Sequence, residues 1–460
     1  MMLFGRKKHS APEDTKFTFR AYAWKQFKAN KPALFSMYLL IFMMLVAVFA
    51  SFISNDQPLY VKYRGKTFYP AFNRHWIAKS VFGTTGIDST QNPKTGAWER
   101  LQYDLTDWKA LETESIVWPL VPYSSTGNDI LNSDFAAPGD EHFRRNEKGE
   151  VMLSEGKFRH RLGTDMLGRD VLAGLIHGTK VSLLVGIVSM GIAVLIGVFL
   201  GALAGYFGDH RLKVSRAEFW MCLPGLFFGY FYGFVARSYT VSDAFASSVL
   251  YGFFQLFLSV ALLLGITWVF FRMGRLLRFG FLSKSVNVPL DRYISRFIEI
   301  FNSMPRLLLI ISISAVIEER SLWLVMVIIG MTSWTEIARF VRAELLKVRE
   351  LDYIQAARSM GFSEGRIIFR HALPNAMAPV FVYIAFGIAS AILIESGLSF
   401  LNIGVPDEVV TWGSMLNIGR MEPEAWWMII FPGLAIFVTI TVYNLIGEGL
   451  RDALDPKNKR

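Results

Sequence analysis

The residues able to do chemistry in this 460-residue chain do not form an evident nucleophile–base set. Asp165 and Asp170 lie close to Arg169 and could act as an acid pair, but the neighbouring Gly163 and Gly168 favour turn hydrogen bonds and salt bridges. The sequence has no His-Glu-x-x-His motif, no phosphate-binding lysine loop and only one cysteine. We therefore predict that the chain is not an enzyme and holds no catalytic or metal site.

Two charged residues within an apolar segment are candidates for a solute pathway. Glu299 and Arg306 interrupt residues 297–317, where a charge is costly and usually faces a cavity or a partner. Seven residues apart on one helix, they would share a face and lie about 10 Å apart along its axis. Pro305 predicts a local kink. The alternative is that both lie near the membrane surface, with Arg306 extending its guanidinium to water.

A polar, patterned stretch lies between two apolar segments, at residues 352–375. Tyr353, Ala356, Ala357 and Met360 are spaced to share one face of a helix, and Gly361 follows where a left-handed helix end would lie. The paired alanines would let another surface approach closely. This face could lie on lipid headgroups, or it could insert into a groove on a cytoplasmic partner.

A second short helix is predicted directly after this glycine turn. Ser363 can cap it, with Glu364 in its first turn. Arg366 and Arg370 are four residues apart and would share its basic face. Pro374 would end this helix or bend it into the next apolar segment.

Eight apolar segments must position these residues. The chain is 52% hydrophobic, and a membrane crossing needs about 20 apolar residues, so the fold class is an all-α integral membrane protein. The segments cover residues 33–54, 181–207, 219–236, 244–271, 297–317, 321–338, 376–394 and 425–447. Residues 297–338 could form one re-entrant element, but the polar turn at 318–320 favours two crossings. The first segment lacks a small-residue cleavage site, so we expect an anchor rather than a signal peptide.

The basic residues orient these segments. With the N-terminus inside, the cytoplasmic segments hold 28 Lys and Arg and the three short outer loops hold three. Both termini and residues 350–375 are then cytoplasmic, and residues 55–161 form an extracytoplasmic cap. The net charge is +10, but the basic residues flank the spans rather than forming one patch, which argues against nucleic acid binding.

The spacing of residues 352–375 also resembles a known family. Ala356, Ala357, Gly361, Leu373 and Pro374 match the "EAA" loop of binding-protein-dependent ABC importer permeases. In that family the loop is the coupling helix, which seats in a cleft of the ATPase subunit. The resemblance implies a type I importer permease-like helical bundle. It also implies an ATPase-coupling surface, which takes in Tyr353, Gln355, Ala356, Ala357, Met360, Gly361, Ser363, Arg366 and Arg370.

Three more motifs resemble the dipeptide and oligopeptide branch of this family. They are "LGTDMLGRDVLAGLIHGTKVSLLVG" from Leu162, "ESGLSFLNIGVPDEVVTWGSML" from Glu395, and "NLIGEGLRDALDPK" from Asn444. A fourth stretch, "ISNDQPLYVKYRGKTFYP" from Ile53, is similar to the subgroup that includes the microcin C importer permease. The resemblance implies a permease for peptides or peptide-like solutes in a bacterial inner membrane.

The resemblance also implies the partners. Two ATPase subunits would bind ATP and Mg²⁺, so no cofactor is expected in this chain. A second homologous permease chain, an extracytoplasmic substrate-binding protein and the lipid bilayer complete the expected set. A related permease for nickel or another small solute is one alternative. A self-contained channel or secondary transporter is another, but the chain shows no inverted repeat.

The chain departs from the family pattern in three places. Gln355 stands where the family usually has Glu, and His371 stands where it often has an aliphatic residue. About two extra spans, near residues 216–272, are inserted into the usual six. The expected organisation is an N-terminal segment 1–32, a first span 33–54, the cap 55–161 and a permease domain 162–460.

Overall fold

The structure is a computed structural model that describes residues 19–72, 87–91, 98–103, 106–111, 113–145, 149–154, 156–247, 249–316 and 320–454. Parts of the predicted segments 1–32 and 55–161, and the end of the C-terminal motif, lie outside the described residues. The predicted helical membrane class is confirmed. Six helices are long and apolar enough to span a membrane, or up to eight if each of two bent helix pairs forms one span.

The helices are numbered in chain order. They are α1 (Phe19–Ala29), α2 (Lys31–Val48), α3 (Ala50–Ile53), α4 (Val171–Ala202), α5 (Arg216–Tyr230), α6 (Ser238–Ser247), α7 (Val249–Leu276), α8 (Leu290–Asn302), α9 (Arg306–Val316), α10 (Leu322–Val348), α11 (Asp352–Ser359), α12 (Glu364–Ile367), α13 (Leu373–Ala376), α14 (Ala378–Phe400), α15 (Trp412–Gly419) and α16 (Trp427–Leu454). Wider π-helical turns occur at Leu203–Phe207, Phe231–Val235 and Ile368–Ala372. Short 3₁₀ turns occur at Pro70–Phe72, Ile130–Asn132, Gly156–Phe158 and Gly280–Ser283.

The strands are short and antiparallel. They are β1 (Tyr60–Tyr63), β2 (Lys66–Phe68), β3 (Ile87–Gln91), β4 (Trp98–Gln102), β5 (Ser115–Val117), β6 (Phe143–Arg145), β7 (Val151–Leu153), β8 (Lys213–Ser215) and β9 (Ser285–Asn287). β1 lies between β2 and β5, and the others form the pairs β3–β4, β6–β7 and β8–β9. The all-α expectation therefore holds for the spans. The cap also contains sheets, whose strands are too short to show a clear alternation of apolar and polar residues in the sequence.

The first compact unit comprises Met1–Val198, Phe301–Phe340 and Pro374–Arg460. Its helical core joins apolar side chains of α4, α9, α10 and α14, among them Val185, Ile310 and Ile329. α16 packs against α2, α14 and α15. Gly449 permits one close approach there, since a Cβ at this position would lie 2.3 Å from the Cβ of Ala33.

The cap belongs to this first unit and has its own small core. Val61, Phe68, Tyr103, Trp108 and Trp118 are buried together beneath the β1, β2 and β5 sheet. Because these are large aromatic and β-branched side chains, the segment can bury apolar area without long elements. The cap is therefore a folded body in the part of the chain that the structure describes.

The second compact unit comprises Phe199–Ile300 and Val341–Leu373. Most of its first part is a hairpin, in which α5 packs along α7 and the strand pair β8–β9 joins the flanking chain. Gly225, Gly229 and Gly233 line the contact, where an added Cβ would lie 2.7–2.8 Å from atoms of the opposite helix. These glycines recur every four residues along α5 and the π-helical turn that follows it, and they bring the two backbones close.

The pair α8–α9 is bent by 80°. The kink that Pro305 predicts is confirmed, since α8 ends at Asn302 and α9 begins at Arg306. The expectation that Glu299 and Arg306 share one helix face is wrong, because the proline ring prevents the backbone from continuing the preceding turn. The described α9 has 11 residues and spans about 16 Å, roughly half of a hydrocarbon core.

Candidate coupling site

The predicted coupling helix is present as α11, an eight-residue helix. Gly361 follows it with a φ of +79°, the left-handed conformation that glycine adopts without strain. The amide of Met360 donates to the carbonyl of Ala356, and the amide of Gly361 donates to that of Arg358. The predicted helix and glycine turn are thus confirmed.

The two faces of α11 have different surroundings. Ile354 and Ala357 are buried at 0% and 3% exposure, whereas Tyr353 and Met360 are exposed at 41% and 66%. Ala356 lies on the exposed side. The expectation that all four predicted residues form one outward face is therefore wrong for Ala357. With Ile354 three residues earlier, it forms the inward face, and its small side chain lets the helix pack closely.

Gln355 has a defined role in the structure. Its amide nitrogen donates a hydrogen bond of 3.1 Å to the carbonyl oxygen of Glu350, just after α10 ends. A glutamate at this position would be ionised at neutral pH and could only accept, so it would not make this bond. Glutamine in place of the family's usual glutamate thus links the start of α11 to the preceding turn.

The second predicted helix is present and contains a π-helical turn. α12 has four residues and passes into the π-helical turn Ile368–Ala372. Ser363 takes the N-cap position, but its side chain makes no capping hydrogen bond, so that part of the prediction is wrong. Arg366 lies 4.8 Å from the ring of Phe362 in a cation–π contact, and Arg370 is exposed.

A hydrogen-bonded group fixes α11 and α12 to the chain that follows α4. The buried phenol of Tyr206 donates to the carboxylate of Glu364. It also accepts a bond of 3.0 Å from the Arg358 guanidinium, whose Nε lies 3.3 Å from Glu364. We call these three residues the tyrosine clamp. Burial would lower the pKa of Arg358, but Tyr206 and Glu364 outweigh it and raise that pKa.

Further polar contacts surround the clamp. Arg349 donates to the carbonyl of Gly205 at 3.2 Å and to Glu350 at 2.9 Å. Arg211 also lies 3.4 Å from Glu350. Arg342, near the end of α10, donates to Asp291 of α8 at 2.8 Å. Charged contacts from Glu350 and the clamp therefore hold the loop 350–373 to the chain after α4, and Arg349 joins the end of α10 to the same turn.

Comparison with known proteins identifies the family. Residues 276–460 match the model of the binding-protein-dependent transport system inner membrane component. Residues 18–71 match the N-terminal transmembrane domain of oligopeptide transport permease C. Residues 276–460 therefore form a domain of this transport family, and together with residues 18–71 they support a permease role for the chain. The chain is a transporter permease subunit, and its loop 350–375 occupies the region that the first model covers.

Individual relatives are similar over different lengths. The inner membrane ABC transporter permease protein YejE of Escherichia coli is 25% identical over 434 residues, 94% of this chain and 96% of that protein. A Brucella suis protein named as a peptide permease is 28% identical over 310 residues, 67% of this chain and 76% of its own. Another Brucella suis protein, named as a peptide transport system permease, is 46% identical over 172 residues, which are 37% of this chain and 57% of that one.

One solved structure, of the MetNI methionine ABC transporter in inward-facing conformations, has a TM-score of 0.39 at 15% identity. The match covers 61% of this chain and 96% of that chain. Neither family match reaches residues 72–275, which hold most of the cap, α4 and the α5–α7 hairpin. The structure alone therefore describes how this permease forms those parts.

Arg306 and Glu299 do not share a helix face in the permease. The bend at Pro305 separates them, and Glu299 is exposed and pairs with Arg296 at 2.6 Å. Arg306 donates from Nη2 to the hydroxyl of Ser333 at 3.1 Å, while its Nε is buried with no hydrogen-bond partner among the described residues.

Asp165 makes the turn hydrogen bonds that the sequence predicts, because its carboxylate accepts from the backbone amides of Leu167 and Arg169.

The tyrosine clamp has no clear signal in the sequence. Tyr206 ends a long apolar run, and a tyrosine there is usually interpreted as an interfacial anchor. Arg358 and Glu364 are six residues apart across a glycine turn, so helix periodicity does not pair them. Only the folded chain shows that a residue about 150 positions earlier joins them.

Replacing Tyr206 by Phe tests the clamp. We expect amide hydrogen exchange across residues 352–373 to become about tenfold faster, because a hydrogen bond to a charged group is worth about 1.5–3 kcal/mol. Tyr230→Phe is the matched control, since Tyr230 is 58% exposed on α5. Equal exchange in both variants and the unchanged chain would contradict the role of the phenol.

Proposed function

We propose that this permease carries peptides or peptide-like solutes inward, driven by ATP hydrolysis in separate subunits. The names of its relatives support the solute class, since two Brucella proteins are named as peptide permeases. The observation that supports coupling to an ATPase is that α11 has one buried face and one exposed face. Its inward face is buried and clamped, and its outward face presents Tyr353, Ala356 and Met360.

The outward face of α11 is the proposed contact with an ATPase subunit. Its aromatic, small and thioether side chains form a ridge that can fill a groove, as helix-in-groove recognition requires. Gln355, Ser359 and Gly361 are also exposed beside it, and Arg366 and Arg370 add positive charge further along. Ala357 contributes from within, by bringing α11 close to its own chain.

The proposed assembly follows from this contact. Two ATPase subunits would bind ATP and Mg²⁺ and close on each other, drawing together α11 and the corresponding helix of a second permease chain. An extracytoplasmic binding protein would deliver the solute. The count of 28 basic residues against three supports cytoplasmic termini, a cytoplasmic loop 350–375 and an external cap.

Arg306 is the proposed pathway residue in this scheme. Its guanidinium is half-buried, held on one side by Ser333, with Nε lacking a partner among the described residues. An arginine with unused hydrogen-bonding capacity can bind a passing carboxylate. Glu299 is a weaker candidate, because Arg296 already pairs with it.

The coupling contact can be tested by photo-crosslinking in the complete transporter. After Cys222→Ser removes the native cysteine, Ser359→Cys carries a benzophenone maleimide on the exposed face of α11. We expect capture of the ATPase subunit. Thr126→Cys is the control, since Thr126 is exposed in the cap and should capture none. Absence of an ATPase product from residue 359 in all nucleotide states would refute the assignment.

The pathway role of Arg306 predicts a transport defect. Arg306→Ala should lower the rate of peptide uptake into proteoliposomes by about tenfold, which corresponds to about 1.4 kcal/mol of lost interaction. Arg296→Ala is the control, because Arg296 is an exposed arginine of α8. If Arg306→Ala transports every peptide tested as fast as the control, Arg306 does not contact the solute.

A further inference from the structure

The cap contains a cavity of about 560 Å³ that the coupling site does not use. Its volume lies in the range of about 300–1,000 Å³ that is usual for small-molecule sites. Six charged residues line it, and they are Asp56, Asp107, Lys109, Asp129, Arg144 and Arg145. A cavity with both signs of charge suits a ligand that carries both.

The cations of this cavity lack ion-pair partners. Among the described residues, no carboxylate lies within salt-bridge distance of Lys109, Arg144 or Arg145, although other ion pairs of the cap are formed. The Nε atom of Arg144 is buried and has no hydrogen-bond partner there. Because a buried donor without a partner is costly, an anionic group from outside the chain would satisfy it.

Lys109 is held rigidly at the cavity wall. Its Nζ lies 3.4 Å from the centre of the Tyr123 ring, a cation–π contact. Its backbone amide donates to the Asp107 carboxylate at 3.0 Å, which fixes the turn. Burial lowers the pKa of the Lys109 amine to about 8, because little water remains to solvate the ammonium. The ammonium is thus positioned at the cavity wall without a direct ion pair to any carboxylate in the described part of the chain.

The wall behind Lys109 is formed by Tyr123, which stacks on a buried histidine held by two aspartates. The Tyr123 ring stacks on His160 at 4.0 Å, and its hydroxyl donates to the carbonyl of Phe158 at 2.5 Å. His160 is fully buried between Asp170 at 2.8 Å and Asp129 at 3.3 Å. Burial would lower the pKa of His160, but the two carboxylates outweigh it and raise that pKa. Asp129 is therefore engaged within the wall and is less able to neutralise Lys109.

We propose that this cavity binds a zwitterionic solute of short-peptide size. Its carboxylate would contact Lys109 and Arg144, and its ammonium would lie towards Asp56 and Asp107. The two aspartates favour a zwitterion over a simple polyanion such as phosphate, which they would repel. The site rests on the cap alone, whereas the choice of a peptide as the probe rests on the proposed function.

The test is equilibrium binding to the full-length chain in nanodiscs, without ATP or partner subunits, so that it does not depend on transport. We expect trialanine to bind saturably. Trialanine amide and acetyl-trialanine, which each lack one charge, should bind about tenfold more weakly or worse. Inorganic phosphate should not compete.

Variants locate the site. Lys109→Met and Arg144→Gln should each weaken trialanine binding by about tenfold or more. Lys62→Met is the matched control and should bind as the unchanged chain does, since Lys62 lies outside the cavity and pairs with Glu114 at 2.8 Å. Thermal melting of each variant checks that the cap remains folded.

Four results would overturn the proposal. They are no saturable binding of trialanine, equal binding of the capped peptides, unchanged binding by both folded cavity variants, or phosphate binding in place of the peptide. None of these results would bear on the crosslink from residue 359, so failure of the cap site and failure of the coupling function remain distinguishable.

Discussion

The candidate coupling site depends on two hydrogen bonds of the Tyr206 phenol. The phenol is buried, and it donates to Glu364 while accepting from Arg358, so a single hydroxyl joins both short helices of the loop to the chain after α4. Without it, Arg358 and Glu364 would keep only their mutual contact of 3.3 Å across an open glycine turn. Because exposed ion pairs contribute little alone, the buried phenol makes this group specific.

The clamp explains why the paired alanines differ in surroundings. With α11 held by Arg358, Ala357 and Ile354 face inward, and Ala356 and Met360 face outward. In the proposed coupling, the outward face would receive displacement from the ATPase subunit and the inward face would pass it to the chain. Gln355 adds a bond to the Glu350 carbonyl, so α11 is tied to the end of α10 as well. In the proposed coupling, a push on the outward face would reach the chain after α4 and the turn after α10 through directed hydrogen bonds.

Sequence reasoning predicted the features that depend on local chemistry. Hydropathy located the spans, Pro305 predicted the kink, and Gly361 predicted the end of α11. Sequence reasoning failed where contacts between distant segments of the chain determine which side chains are buried or paired. Helical spacing placed Ala357 outward, because it cannot show which face is already covered. Tyr206 and the cap stack of Tyr123 on His160 likewise depend on contacts between residues far apart in the chain.

We propose that the clamp links ATP hydrolysis mechanically to transport. Its most direct test is the number of solute molecules imported per ATP hydrolysed by the complete transporter in proteoliposomes, measured for the unchanged chain and for Arg358→Gln. We expect that hydrolysis persists while the ratio falls severalfold, since the outward face of α11 remains but its attachment to Tyr206 is weakened. A ratio equal to that of the unchanged chain would contradict it.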